Sequence, residues 1–282
     1  MRNCLFFLVL ALGAWKGAQA NTLCDTLSFQ SNGSKLVAYG YPSSKPNSPT
    51  LLFMQGFMET GDIWEIGQTL SRRNINVFLF DFRGCHRSEG KQGLMNSQED
   101  ISEALAFIGS GEISKKYHID NTNIILGGYS YGGHMSLLYA IHHPEIKRII
   151  SVSGGDLGIL GDLIRKNPNL RKNYTDFFHS IKKPNGPVDF EYEDPIQELL
   201  ENQEYFYILK QTGKLNNVDI LLTGGLDDNV VSMEDYGLPQ YRNLRKNKSL
   251  QIEFKVYQSG HSYYESKGQL LSDIENWIKK EQ

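Results

Sequence analysis

The sequence predicts an α/β fold: a mostly parallel, doubly wound sheet carrying an inserted, mainly helical cap. Three observations carry this. Short apolar runs recur along the chain with helical stretches between most of them. The runs are apolar on both faces, as strands buried from two sides must be. One region, about 157–215, breaks the alternation.

The chain begins differently from how it continues. Arg2 gives a short basic start, residues 4–15 form an apolar run, and Ala18-Gln19-Ala20 ends it with an A-x-A pattern. This reads as a signal peptide over 1–20, too short to span a membrane, with one folded unit over 21–282 and a secreted or periplasmic location. Cys24 and Cys85 then remain in a compartment that permits a disulfide, although two free thiols would read the same way. Sequons stand at Asn32, Asn173 and Asn247 and matter only in a host that glycosylates exported proteins.

Elements follow in order. Residues 27–40 alternate apolar and polar around Asn32-Gly33, a hairpin signature. Strands are expected at 50–55, 77–82, 124–126, 149–152, 220–222 and 252–256, and helices at 63–73, 97–116, 132–143 and 272–280. The 157–215 region has no clear strand and is broken by Pro168, Pro184, Pro187 and Pro195. Its aromatics, Phe177, Phe178, Phe190, Tyr192, Tyr205, Phe206 and Tyr207, either line a substrate pocket or form the cap's own core. Its acidic run, from Glu191 through Glu198 to Glu204, reads as a solvated helix face, with a cationic substrate as the alternative.

Composition narrows the function. The 282 residues are 40% hydrophobic and 22% charged, with 29 basic against 32 acidic side chains. Such a chain buries a full core and offers no basic field for nucleic acid. No metal-ligand spacing or cofactor-binding glycine fingerprint is visible, so neither metal nor cofactor is expected.

The chemistry concentrates at three places. Gly128-Tyr129-Ser130-Tyr131-Gly132 follows a strand and opens a helix, the setting of a nucleophile elbow, where small neighbours let a tight turn aim Ser130 outward. Serine needs a base and the base needs a carboxylate to orient it. His261, just beyond the last strand, is the candidate base; His134, His142 and His143 sit on the helix after the elbow and suit surface or core roles. The carboxylate belongs at the end of the preceding strand, where Asp227 and Asp228 compete. Asp227, three residues past Gly224, is preferred, with Asp228 bracing the loop. The backbone N–H groups of Tyr131 and Phe57 are the expected oxyanion donors, Gly56 letting the chain come close.

With these motifs the chain resembles the α/β-hydrolase superfamily from the hairpin through the final helix. Residues 123–133 and the loop Gly224-Gly225-Leu226-Asp227-Asp228-Asn229-Val230 are similar to those of prolyl-oligopeptidase-type serine peptidases, a resemblance that also favours Asp227. Gly56-Phe57-Met58-Glu59-Thr60 and Asp81-Phe82-Arg83-Gly84 look instead like loops of capped esterases, lipases and epoxide hydrolases. A serine nucleophile disfavours the epoxide chemistry, and the chain has no room for the propeller of prolyl oligopeptidases. Gln55 stands where the family often has histidine, and His86 where it often has glycine. Gln55 is expected to brace the oxyanion loop through its amide, and His86 to act as a substrate contact or a loop residue. The resemblance implies a serine hydrolase cleaving a lipid or small-molecule ester; a peptidase on short peptides and a non-catalytic ligand-binding protein are the alternatives.

Overall fold

The computed structural model describes residues 24–280. The proposed signal peptide lies outside them. Eight strands form one sheet in the order β1-β2-β4-β3-β5-β6-β7-β8. They are β1 (Asp25–Ser31), β2 (Ser34–Tyr41), β3 (Thr50–Met54), β4 (Asn76–Phe80), β5 (Ile124–Tyr129), β6 (Arg148–Val152), β7 (Asp219–Gly225) and β8 (Gln251–Tyr257). β1 and β2 pair antiparallel, β2 meets β4 antiparallel, and every later pairing is parallel. Asn32 and Gly33 both take positive φ, 46° and 81°, at the hairpin turn, as two-residue hairpins of this twist require.

β3, β4 and β6 are buried at every position, and the helices cover both faces. On one face pack α2 (Leu94–Ile108), α3 (Gly111–Tyr117) and α4 (Tyr131–His142); on the other pack α1 (Ile66–Arg72) and the final helix, α11 (Lys267–Lys279). Two predicted helices differ from expectation. The 97–116 stretch is two helices, because the chain breaks at Gly109 and restarts where the Ser110 side chain accepts from the N–H of Ile113. The 63–73 stretch opens with a tight turn in which Trp64 and Glu65 adopt positive φ, so α1 starts only at Ile66. There the Asp62 carboxylate accepts from the N–H groups of Gly67 and Gln68. Among the described residues no helix is long and apolar enough to cross a membrane.

Between β6 and β7 lie α5 (Leu157–Lys166), α6 (Pro168–Ile181), α7 (Pro195–Glu201), α8 (Gln203–Phe206) and α9 (Ile208–Gln211). Pro168 and Pro195 begin helices instead of ending them, each behind a capping Asn167 or Asp194, since proline at the first helical position gives up no hydrogen bond. A further helix, α10 (Leu238–Leu244), follows β7 and was not signalled by the sequence. The insertion is stitched to the sheet. The carboxylate of Glu198, on α7, accepts from the N–H groups of Leu94 and Met95 and so caps α2 from outside, which corrects the reading of this acidic residue as part of a solvated face. Asp156, at the start of α5, takes the N–H groups of Gly158, Ile159 and Leu209. Burial pushes its carboxyl up to about 6 despite those donors.

Candidate active site

Ser130 sits between β5 and α4 with φ 52° and ψ −115°, a strained backbone that turns its side chain off the sheet. Its own N–H donates to the Val152 carbonyl at 2.8 Å, fixing the turn to β6. The glycines around it have no room for a side chain. A Cβ on Gly132 would lie 2.3 Å from the Met54 carbonyl oxygen, and one on Gly128 would lie 2.3 Å from Gly132 itself.

His261 arrives on the loop after β8. Its Nε2 lies 3.0 Å from Ser130 Oγ and its Nδ1 lies 2.7 Å from a carboxylate oxygen of Asp228. Two aromatic residues hold the loop that carries His261. The Tyr129 hydroxyl donates to the His261 carbonyl at 2.8 Å, the Tyr129 ring lies 5.0 Å from the imidazole, and Trp64 donates to the neighbouring Ser262 carbonyl.

The carboxylate is therefore Asp228 and not the expected Asp227. The reason is the turn that ends β7. Leu226 and Asp227 donate to the Tyr257 and Ser259 carbonyls and stay exposed, Asp227 meeting the amide of Gln258, and the Asp228 N–H then donates back to the Gly225 carbonyl at 3.3 Å, a turn that leaves the Asp228 side chain directed at His261. The Asp228 side chain is fully buried. Burial alone would raise its carboxyl, but the His261 bond and the N–H groups of Val231 and Val230 outweigh that and hold it below the ordinary carboxylate range.

Phe57 and Tyr131 both border the cavity beside Ser130. Tyr131 N–H is the first of its helix and has no partner within it. The loop carrying Phe57 is fixed differently from the sequence expectation. The side-chain amide of Gln55 is buried without a partner, and its main-chain carbonyl does the bracing by accepting from Gly132 N–H at 3.2 Å. His86 serves the loop: its Nε2 donates to the Met58 carbonyl at 2.7 Å. Thr60 completes the fixation by donating to Asp81.

The cavity is about 310 Å³ and mostly apolar, with Leu157, Leu160, Ile164, Ile196, Leu199 and Val231 among its walls and His134, Tyr174 and Tyr236 among its polar exceptions. The insertion's aromatics divide. Phe177 and Phe178 line the cavity, whereas Phe190 and Phe206 are buried in the core. Phe57 packs edge-on to both Tyr131 and Phe178, joining the nucleophile loop to the insertion. Among cavity residues to which the sequence reading gave no role, one is an acid. Glu59 stands at the rim, where desolvation pushes its carboxyl up to about 7 although the Gly56 N–H and the charge of His261 pull it down. A glutamate in a loop leaves no periodic trace by which it could have been found. Among the described residues Cys24 and Cys85 form no disulfide.

A sequence profile described as alpha/beta hydrolase fold matches residues 49–191. The chain belongs to the alpha/beta hydrolase family. Among curated relatives, it is 28% identical over 140 residues to a proline iminopeptidase of Saccharolobus solfataricus, a match covering 49% of this chain and 42% of that protein. The chain thus matches less than half the length of that relative. Of solved structures, it resembles acetyl xylan esterase 1 of a Thermoanaerobacterium species at a TM-score of 0.64 and 18% identity, over 91% of this chain and 84% of the other. It also resembles the acylaminoacyl peptidase of Pyrococcus horikoshii at a TM-score of 0.64 and 15% identity, over 92% of this chain and 42% of that one. At such identities the likeness speaks for the fold, and function has to be argued from the site.

Proposed function

We propose that this alpha/beta hydrolase is an exported serine hydrolase cleaving a carboxylic ester with an apolar acyl group through an acyl-enzyme on Ser130. The observation that carries the reading is the pair of contacts at His261, 3.0 Å to Ser130 and 2.7 Å to Asp228. His261 Nε2 takes the Ser130 proton as Oγ bonds to the ester carbon. The tetrahedral oxyanion is received by the N–H groups of Phe57 and Tyr131. The C–O bond to the alcohol breaks, and the alcohol leaves with the proton from His261. Water repeats the sequence: His261 takes its proton, the acyl–Oγ bond breaks, and Ser130 recovers its proton as the acid departs. Asp228 holds the imidazole tautomer and balances its charge throughout. Export rests on the sequence of residues 1–20.

A second reading, a peptidase or amidase on short substrates, draws support from Glu59, a rim carboxylate beside His261 suited to a substrate ammonium, and from the similarity to a proline iminopeptidase. Fluorophosphonate labelling of the mature protein, with Ser130→Ala as control, tests the nucleophile. A panel of p-nitrophenyl esters beside aminoacyl anilides then separates the two readings. Hydrolysis of esters alone is expected; turnover of anilides alone would move the assignment to the peptidase. No labelling of folded protein would leave a ligand-binding protein on a hydrolase scaffold.

A further inference from the structure

Three residues lining the cavity carry a polar atom without a hydrogen-bond partner among the described residues, and one of these atoms is fully buried. His134, one turn beyond the nucleophile on α4, is 1% exposed; its Nδ1 bonds the Gly155 carbonyl at 3.0 Å, and its Nε2 is without a hydrogen bond. Because a carbonyl only accepts, Nδ1 carries the hydrogen and Nε2 presents a lone pair. Burial pushes this histidine down to about 4, so it stays neutral at ordinary pH. Tyr236, in the turn after β7, is 8% exposed, and Tyr174, on α6, is half-buried. Neither hydroxyl has a partner among the described residues, and each phenol is raised by burial.

Two of these groups meet around Gly155, which lies between His134 and Tyr236: its carbonyl holds the imidazole, and a Cβ on it would lie 3.8 Å from the Tyr236 ring. All three residues line the cavity that holds Ser130. Asp156 is also there, but its carboxylate is committed to backbone N–H groups. The buried lone pair of His134, left without a partner, costs free energy that a ligand supplying the missing donor returns on binding.

Resting on the proposed hydrolase reading, we infer that this cluster is a subsite for a hydroxyl group on the substrate's acyl chain. A hydroxyl is the matching chemistry, since it donates to the lone pair of His134 and accepts from Tyr236 or Tyr174. The substrate class is then an ester of a hydroxylated, otherwise apolar carboxylic acid. A simple alkyl acid fills the same walls and leaves the three groups unpaired.

The test compares p-nitrophenyl hexanoate and octanoate with their ω-hydroxy counterparts on the full mature protein. The wild type is expected to favour the better-fitting ω-hydroxy ester by about tenfold or more in kcat/KM. Tyr236→Phe and Tyr174→Phe are each expected to bring that ratio toward one, a change that general damage to the site, acting on both esters alike, would not produce. Equal ratios in wild type and both variants, or a wild-type preference for the alkyl esters, overturns the subsite. Calorimetric binding of methyl ω-hydroxyoctanoate and methyl octanoate to Ser130→Ala provides a readout independent of turnover. A hydroxyl preference there without any wild-type hydrolysis would sink the catalytic reading and leave the subsite standing, whereas hydrolysis without a hydroxyl preference would do the reverse.

Discussion

Replacing Asp228 by asparagine separates the two neighbouring aspartates most sharply. The Asp228 side chain is fully buried and His261 is 18% exposed, so little water screens the 2.7 Å contact between them. Asparagine keeps an oxygen for the N–H groups of Val230 and Val231, which hold the turn, so the fold is expected to survive. What is lost is the charge opposite the developing imidazolium and the acceptor that selects the tautomer with its free lone pair toward Ser130. Such a loss lowers kcat by about a thousandfold to ten-thousandfold. At about 1.4 kcal/mol per factor of ten, this is about 4–5.5 kcal/mol of transition-state stabilisation. Asp227→Asn, by contrast, touches only the exposed Gln258 amide and is expected to stay within about twofold of wild type. The assay is kcat/KM on a p-nitrophenyl ester, with thermal melts to verify folding. Acid stability gives an independent check. Asp228 titrates below its ordinary value in the fold, so its contribution is present above about pH 4 and is lost on acidification, and wild type and Asp228→Asn should converge in stability there. An Asp227→Asn variant as impaired as Asp228→Asn, or an Asp228→Asn variant retaining a tenth of wild-type activity, would refute the assignment.

Three other outcomes follow from the geometry. Glu59 is raised to about 7, so its charge changes near neutrality and a kcat/KM profile that depends on that charge should bend there; Glu59→Gln is expected to remove the bend, and an unchanged profile would show that the charge plays no part. Glu198→Ala removes the external cap of α2 and leaves the N–H groups of Leu94 and Met95 unpaired, a loss of about 1–2 kcal/mol readable by urea unfolding, and an unchanged midpoint would discount the cap. Gly132→Ala drives a methyl group to within 2.3 Å of the Met54 carbonyl and should abolish fluorophosphonate labelling while lowering Tm; normal labelling would mean that the turn yields more easily than its contacts imply.

The inner strands were legible because they are buried on both faces and read as apolar runs, so 149–152 fell within a residue of β6; the half-exposed edge strand β8 was also met within a residue, at 252–256, although Glu253 and Lys255 interrupt its run. The elbow was legible because glycine is imposed by contacts, not by preference. Asp228 was not, because two identical neighbours are told apart only by how the turn after Gly225 folds back, and residue identity does not carry that. The insertion was legible as helix-leaning but not in its divisions, since α8 and α9 are a single turn each and depend on packing rather than periodicity. His86 and Gln55 were seen as departures from the family pattern, yet their tasks rest on which atom bonds, main chain for Gln55 and ring nitrogen for His86, and side-chain identity does not carry that.

The external cap that Glu198 provides to α2 bears on how substrate range can change in this scaffold. A segment that only covered a pocket could be exchanged between homologues like a lid, with the body indifferent to the graft. Here the segment also finishes a helix of the body, so a transplanted insertion without an acid at that position would leave α2 open at its N-terminus and weaken the host. New specificities are therefore reached more readily by single replacements on the inner wall, at Phe177, Leu160 or Tyr174, than by recombining whole insertions.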